Sequence, residues 1–574
     1  MNLRWIRPCM KQIDLGDRSF AELRENKMYY VDKTGLIKDI LDSNRFGVYL
    51  FTRPRRFGKT VNLSMLDAFF NIAYDGNNWF DDLEISKYPE YYAYKNTFPV
   101  IHIDLGIVNA DCYEEFLAGM RKSVRDAFEP HRYLLGWSEL SDTMKSLFDI
   151  FGSETIPLSP DMLKFSVNNL SEALTRYHGK KPVILIDEYD RAVSNAFGEE
   201  SHKEIMSFLE KFAYASIKGN PNKQMVYMTG VMQIAKQSIF SGLNNVVVNN
   251  IFSKKSDERF GFTEEEVKSI LTDFGFSDKF EIAKKWYDGY RFGDAEVYNP
   301  YSIMNFVSQN CLEKPYWVDS GRDVLIKDLL NSITAEKYTD IMKLVTGGSI
   351  ESDLMDSFPY EVIKKSGEPL YSLMVMAGYL NAVPIEDTDI YGNELFELSI
   401  PNEEVRRLVG RLMKTVYPID TDDFALFNKA ILDENAQMME KTLTRIMAGA
   451  SYLNLKENTY QAVIMTLIHT LSNRYRVKVE VPEGQGRVDI LLDPLVHEEP
   501  HIIFELKVAK KKSDLNSRVD EAIEQIHDRE YYNGMAGRVI LIGIAFWNKI
   551  PKVKIDSVMN GDGSAISDAD VERS

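Results

Sequence analysis

Cysteine is nearly absent from this chain: Cys9, Cys112 and Cys311 are isolated thiols among 574 residues. That excludes a disulfide framework and a cysteine-built zinc cluster. Long apolar runs are missing as well. The longest near the C-terminus, Val539 to Trp547, is strand-sized and far below the ~18 residues that suggest a membrane span. Nor does Met1-Asn2-Leu3-Arg4-Trp5-Ile6-Arg7-Pro8 hold an apolar core of signal-peptide length. A cytoplasmic protein without membrane contact is the expectation. Positive charge is in short supply too. A formal net charge of −18 argues against general coating of nucleic acid, because such binding is carried by phosphate neutralisation. The acid excess is uneven, however. Residues 451–560 carry Lys/Arg and Asp/Glu in equal number, which leaves room for a basic face there.

What is present is ordinary globular material, 44% hydrophobic and 27% charged. At ~100–200 residues per domain the chain should hold three or four domains. The stretch with the most chemical content is Thr52-Arg53-Pro54-Arg55-Arg56-Phe57-Gly58-Lys59-Thr60, which follows the apolar run Phe46 to Phe51 and precedes a helical pattern from Val61 to Phe70. Strand, basic loop ending Gly-Lys-Thr, then helix is the layout of a phosphate-binding loop. Backbone N–H groups of the loop and helix start would cradle phosphates, Lys59 would meet the β and γ oxygens, and the Thr60 hydroxyl would ligate Mg²⁺. The usual pattern G-x-x-x-x-G-K-[ST] has glycine where this chain has Arg53.

A second strand, Pro182 to Ile186, runs into Asp187-Glu188-Tyr189-Asp190 about 120 residues later. An apolar strand ending in acids is the other half of a phosphate-loop ATPase. Asp187 would hold the Mg²⁺ shell, and Glu188 would orient or deprotonate the attacking water. Pro99 to Leu105 reads as a buried strand with a polar end at Asp104. Helices are expected over 113–128, 161–178 and 201–217, with Gly152 to Pro160 as a loop. Gln224 to Gly230 reads as another strand, whose Thr229 is either a sensor of the γ-phosphate or part of a strand-ending turn.

These motifs, with Ile239-Phe240-Ser241-Gly242-Leu243-Asn244-Asn245, Gly261 to Val267, Trp286-Tyr287-Asp288-Gly289-Tyr290-Arg291-Phe292-Gly293 and Tyr298-Asn299-Pro300-Tyr301-Ser302, resemble a prokaryotic AAA-ATPase-like family. Its members commonly carry a C-terminal nuclease-like domain. The resemblance covers roughly residues 14 to 550. It implies that arginine at position 53 is normal and that ATP is the nucleotide, held by Arg53, Pro54, Arg55, Arg56, Phe57, Gly58, Lys59, Thr60, Asp187 and Thr229. Family members often have a basic residue near Gln233; here only Lys236 is close. Residues 262–345 read as a helical lid, opened by the capping sequence Thr263-Glu264-Glu265-Glu266. Trp286, Tyr287 and Tyr290 fill its core or seal the nucleotide site.

The C-terminal region begins with a helical pattern from Asn458 to Leu471, preceded by Glu457. Three alternating strands follow, Tyr475 to Val481, Gly486 to Leu492 and His501 to Val508. Glu505 and Lys507 lie two apart, so they project from one face, and Asp489 ends or crosses the neighbouring strand. Two carboxylates with one lysine suit Mg²⁺ or Mn²⁺, which takes hard oxygen ligands, with Lys507 stabilising the charge that develops on a phosphate. The set resembles the PD-(D/E)XK nuclease superfamily. That likeness implies catalytic Asp489, Glu505 and Lys507, a further metal-binding acid at Glu457, and a supporting glutamine at Gln525. The proline of the textual motif is absent, since Val488 precedes Asp489. Lys510, Lys511, Lys512 and Arg518 would meet DNA phosphates or form a solvated loop. His497 and His501 flank Pro500 without the spacing of a zinc pair.

The expected architecture is α/β throughout. It comprises an AAA-like ATPase domain with a parallel sheet over 1–250, a helical lid over 251–345, and a helical linker over 346–450. A restriction-endonuclease-like α/β domain over 451–555 and a disordered tail over 556–574 complete it. The function that follows is ATP binding and hydrolysis coupled to a Mg²⁺-dependent nuclease-like domain acting on nucleic acid, DNA first, with homo-oligomer and monomer both left open by the sequence. The alternative is a nucleotide-dependent switch or scaffold whose nuclease fold binds DNA or protein without cutting.

Overall fold

The structure is a computed structural model that describes residues 12–560 except 17, 45–46, 110–111, 154–155, 157–158, 196–200, 233–245, 318–329, 331–332, 334, 356–369, 389–391, 417–420, 450–456, 469–470, 472–473 and 497. The chain forms two compact units. Met1–Asp328, Ser352–Phe396 and Pro401–Val405 make the first; Leu329–Glu351, Glu397–Ile400 and Arg406–Ser574 make the second. The chain thus leaves the first unit and returns to it twice.

Five strands build the sheet of the first unit: β1 (Val48–Thr52), β2 (Val100–Asp104), β3 (Val183–Asp187), β4 (Met225–Gly230) and β5 (Val246–Asn249). Their order is β2-β3-β4-β1-β5, and every pairing is parallel. The wholly buried β3 and β4 are near-continuous apolar runs, as strands covered on both faces must be. Because all five strands run the same way, their C-terminal ends share one edge. Thr52, Asp104, Asp187 and Gly230 stand along it, which brings residues far apart in sequence to one place.

Helices Lys59–Phe70, Tyr113–Phe128, Pro160–His178 and His202–Ala213 lie where the apolar spacing placed them. Local chemistry fixes the third of these. Ser159 caps its first turn by accepting from the Met162 amide, Pro160 occupies the first helical position, and Gly179 ends it with φ 67°. One more helix, Asp142–Gly152, precedes the expected loop. The segment expected to be a helical lid holds helices Glu264–Asp273, Phe280–Tyr287 and Pro300–Ser308 and, besides them, the hairpin β6 (Tyr290–Phe292) and β7 (Ala295–Val297). Thr263 and Glu266 form the full capping box of the first of these helices. Trp286 and Tyr287 are buried in the hydrophobic core of this segment. Their polar tips reach Glu313 and the Lys314 carbonyl at 2.8 and 3.1 Å, so both pack rather than face a ligand.

Residues 346–450, expected to be helical, hold strands as well: β8 (Ile350–Asp353), β9 (Asn381–Thr388) and β10 (Glu394–Ser399). These strands are mostly half-buried or exposed, so their apolar signal is thin.

The second unit has a sheet of β11 (Tyr475–Glu483), β12 (Gly486–Pro494), β13 (His501–Val508), β14 (Gly537–Trp547) and β15 (Ile550–Asn560), in that order. All pairings are antiparallel except β13 with β14. A parallel pair needs a crossover, and helix Leu515–Asp528 supplies it. A Cβ at Gly543 would come within 3.0 Å of Ile523 and of the Val519 carbonyl, so the helix lies directly on the sheet. Residues 556–560, placed in a disordered tail by the sequence reading, pair with β14 from Gly537↔Asn560 to Leu541↔Asp556. The rest of that tail lies outside the described residues. Among those described, no helix is long and apolar enough to cross a membrane.

Candidate functional site

The phosphate loop joins β1 to helix Lys59–Phe70. Gly58 stands before the helix with φ 79°, a conformation glycine adopts without strain. A Cβ there would meet nothing within 4 Å, so the space an anion needs beside the helix start is open. Lys59 is buried, and its Nζ donates to the carbonyls of Arg53 and Pro54 at 3.0 and 2.8 Å. Burial lowers its pKa against the opposing charges of Glu188, Asp187 and Asp190. Thr60 is exposed in the first turn. Lysine, open glycine and exposed hydroxyl together are a donor set that fits a nucleotide phosphate with its magnesium.

The loop's other side chains do different work. Arg53 has no exposed surface. Its guanidinium donates to the Thr52 and Asn249 carbonyls and to Asn249 Oδ1 at 2.8, 3.0 and 2.6 Å, between the rings of Phe260 and Phe292. The expectation that the Arg53 side chain meets the nucleotide is therefore corrected: it ties the end of β1 to β5, and only its backbone belongs to the loop. Phe57 is likewise buried, with ring centroids 4.9 Å from Tyr290 and 5.1 Å from Phe292. The β6–β7 hairpin thus packs on the loop. Arg56 is exposed, its guanidinium 4.5 Å from the Tyr301 ring centre, and Arg55 is half-buried.

At the same sheet edge Asp187 is buried, and its Oδ1 accepts from the Thr229 hydroxyl and, at 3.0 Å, from the Glu188 amide. Thr229 is fully buried, so its hydroxyl orients Asp187. Glu188 has φ 47°, an uncommon conformation for a residue with a side chain. Its carboxylate bonds Arg191 at 2.8 Å. Burial opposes its ionisation, yet the Arg191 hydrogen bond and the charges of Lys59, Arg191 and Arg55 hold its pKa below the usual value. Asp104 adds a third carboxylate. A Cβ on Gly106 would lie 2.9 Å from both Asp104 Oδ1 and Glu188 Oε2, which places the two groups side by side. Burial, with the nearby charges of Asp187 and Glu188, raises the Asp104 pKa. Asp190 accepts from the Val231 and Met232 amides at 2.9 and 2.7 Å, and burial pushes it up to about 6.

In the second unit the ladder between β12 and β13 runs from Leu492↔Ile502 to Ile490↔Phe504. One residue further on, Asp489 Oδ2 accepts from the Leu506 amide at 2.7 Å. A side chain thus takes the bond beyond the Ile490↔Phe504 pair. By strand alternation, Asp489, Glu505 and Lys507 share the sheet face that carries Leu491 and Ile503, which pack with Ile523 and Ile526 of helix Leu515–Asp528. Glu505 is 2% exposed on the central strand, so it is no sheet-edge surface ion pair. Lys507 Nζ donates to Glu505 Oε1 at 2.8 Å and to Gln525 Oε1 at 2.7 Å. Gln525 is fixed in turn by its Nε2 bond to the Tyr531 hydroxyl, 3.0 Å. Gln461 donates to the Asp489 carbonyl at 3.3 Å.

Two carboxylates with no sulfur or imidazole beside them fit Mg²⁺ or Mn²⁺. Such an ion keeps several waters and needs only one or two carboxylates. No cluster of three or more His, Cys, Asp or Glu side chains placed to hold a metal occurs among the described residues. Glu457 opens helix Glu457–Ile468, but its side chain lies outside the described residues, as do Gln233, Lys236, Ile239 to Asn245 and His497. His501 pairs with Asp493 at 3.1 Å. Lys510, Lys511 and Lys512 are exposed, whereas Arg518 bonds Glu521 at 2.7 Å. The sequence reading missed Asp190, Arg191, Gln461, Tyr531 and Asn249 as supporting residues. Asp190 closes the acidic motif without having been given a role, and Arg191 follows it directly, so both were within reach; the other three carry no motif at all.

Residues 14–240 match a family described as predicted AAA-ATPase, and residues 455–554 match the PD-(D/E)XK nuclease superfamily. The chain joins an AAA-ATPase-like domain to a PD-(D/E)XK nuclease superfamily domain. Both resemblances drawn from the motifs hold, as does the α/β fold class. The AAA-ATPase-like match spans the loop, the acidic strand and Thr229; the nuclease-superfamily match spans Glu457, Asp489, Glu505, Lys507 and Gln525. An uncharacterized protein in the vnfD 5′ region of Azotobacter chroococcum mcd 1 is 25% identical, covering 93% of this chain and 96% of that protein. Among solved structures, a STAND signal-transduction ATPase with a tetratricopeptide repeat sensor from Pyrococcus horikoshii aligns at 14% identity and TM-score 0.23, over 77% of this chain and 50% of that one. The ORC2 protein of Aeropyrum pernix, solved in ADPNP–ADP complexes, aligns at 10% identity and TM-score 0.29, over 67% of this chain and 93% of that one.

Proposed function

We propose that this protein binds and hydrolyses ATP at the Gly58–Thr60 loop and uses the cycle to govern a metal-dependent phosphodiesterase acting on DNA. The observation that carries the reading is the convergence of Asp489, Glu505, Lys507 and Gln525 on one helix-covered face of the second sheet.

In the ATPase, Lys59 exchanges the carbonyls of Arg53 and Pro54 for the β and γ phosphate oxygens. Thr60 and Asp187 would hold the magnesium that neutralises phosphate charge, with Thr229 setting the Asp187 rotamer. Glu188 leaves Arg191, orients the attacking water and accepts its proton. In the second domain Asp489 and Glu505 would hold a divalent ion, which would supply the positive charge that phosphodiester cleavage requires. Lys507 keeps its ammonium beside the scissile phosphate, and Gln525 fixes where that ammonium points.

The test is cleavage of end-labelled DNA in Mg²⁺ and in Mn²⁺ by the wild-type protein and by Asp489→Ala. The wild type cuts and the variant does not. Equal outcomes for the two proteins would sink the phosphodiesterase assignment and leave a nuclease fold that binds without cutting.

A further inference from the structure

All five strands of the first sheet run parallel, so the edge where they begin lies opposite the phosphate loop. At that edge a group of aromatic rings comes to the surface. His131 anchors it from below: its buried ring donates from Nε2 to the carbonyl of Val100, the first residue of β2, at 3.0 Å. Tyr133 and Tyr177 are 44% and 45% exposed. Their centroids are 5.5 Å apart, Trp137 lies 5.6 Å from Tyr177, and His178 lies 4.9 Å from Tyr177 and 5.8 Å from Tyr133. The Tyr133 hydroxyl and His178 Nε2 share a hydrogen bond of 2.7 Å. The rings are therefore held to one another before any partner arrives.

Cations stand on the same and neighbouring segments. The Arg176 guanidinium stands 5.6 Å from the Trp137 ring centre, and Lys180 and Lys181 follow the helix end at Gly179 on the way into β3. Lys223 precedes β4, in the segment that bonds back to Pro182 through the Gln224 amide at 2.8 Å. Arg176, Lys180 and Lys181 are exposed, and none of them forms an ion pair among the described residues. Arg132 does have a carboxylate nearby, Glu129 at 3.5 Å. In a chain of net charge −18, cations left without carboxylate partners beside exposed rings are charge-complementary to a polyanion with flat faces. Rings at a protein surface reach bases only where the bases are unstacked, and stacking tolerates any sequence because every base has a π face.

We propose that this surface binds single-stranded nucleic acid, with Tyr133, Trp137 and Tyr177 stacking on bases and Arg176, Lys180 and Lys181 meeting phosphates. The proposal gives the first unit its own contact with the polymer that the second domain is proposed to cut, and its test does not require cutting.

The full-length protein is irradiated with a 20-nucleotide single strand containing 5-iododeoxyuridine, in EDTA and without ATP, and the adducts are mapped by mass spectrometry. Adducts form on Tyr133, Trp137 or Tyr177. In fluorescence anisotropy with the same strand, Tyr133→Ala/Tyr177→Ala binds at least about tenfold more weakly. Lys180→Glu/Lys181→Glu flattens the dependence of log K on log salt by about 1.4, two phosphates at ~0.7 each. An unchanged melting temperature for each variant shows that the fold is kept. Adducts confined to 455–554, or no adducts, would overturn the proposal, as would wild-type affinity in the tyrosine variant, which would hand the surface to a protein partner. Loss of DNA cleavage in Asp489→Ala leaves the adducts where they are, so the two readings fail separately.

Discussion

Arg53→Gly restores the glycine that the common phosphate-loop pattern carries, yet the structure predicts harm. Three hydrogen bonds from the guanidinium are lost, two of them to Asn249, and bonds to a charged group contribute ~1.5–3 kcal/mol each. The stacking between Phe260 and Phe292 adds ~0.5–2 kcal/mol, and glycine costs a further ~0.5–1 kcal/mol in unfolded-chain entropy. Against this stands relief of the several kcal/mol needed to desolvate the guanidinium. Emptying a buried side chain's space adds about 2–4 kcal/mol, so the net change is a destabilisation of the junction of β1, β5 and the loop. Urea unfolding followed by tryptophan emission reads the change well, since Trp547 is the one tryptophan of six outside the first unit. The expected result is a lower midpoint for the first unit together with weaker ATP binding. Arg53→Lys should fail similarly, because an ammonium cannot reproduce the planar fork. An Arg53→Gly protein as stable as the wild type, with equal or tighter ATP binding, would refute the reasoning.

Other perturbations separate the parts of the account. Lys59→Ala should abolish ATP binding, whereas Glu188→Gln should bind ATP and hydrolyse it ~10²–10⁴-fold more slowly; equilibrium binding and phosphate release measure the two. Gln525→Leu should slow DNA cleavage about tenfold or more by freeing Lys507, with stability little changed, as cleavage time courses and melting curves would show. Glu404 is a pH test of the first unit. Fully buried, it accepts from the Ser302 hydroxyl and the Trp317 amide, both at 2.7 Å, and burial raises its pKa to about 7. The folded state holds this proton above the unfolded pKa of 4.5, so the contribution is fully present below that value and is lost as pH rises towards 7. The loss is about 3 kcal/mol at ~1.36 kcal/mol per pKa unit. Glu404→Gln should flatten that slope in urea midpoints taken from pH 5 to pH 8, and an unchanged slope would remove the assignment.

The chemistry-bearing strands were legible because apolar runs ending in acids, or in Gly-Lys-Thr, leave few other readings. Asp187, Lys59, Glu505 and Lys507 therefore stand on the elements assigned to them. Arg53 was not legible as a buried strut, since its partner Asn249 is 196 residues away and a loop arginine reads as surface. β15 was cut short at Ile555 because its distal half, Asp556 to Asn560, is an exposed or half-buried edge with little apolar alternation. The strands within 346–450 were hidden for the same reason. The two compact units were also out of reach, because segments 352–396 and 401–405 rejoin the first unit and no window of contiguous sequence reports such a return.

The central claim is that the loop at Gly58–Thr60 governs the carboxylates at Asp489 and Glu505. Single-turnover cleavage of labelled DNA in Mg²⁺, with and without ATP, tests it most directly when wild type and Lys59→Ala are run side by side. The account predicts a wild-type rate that changes with ATP and a Lys59→Ala rate that does not. A wild-type rate identical with and without ATP would contradict it.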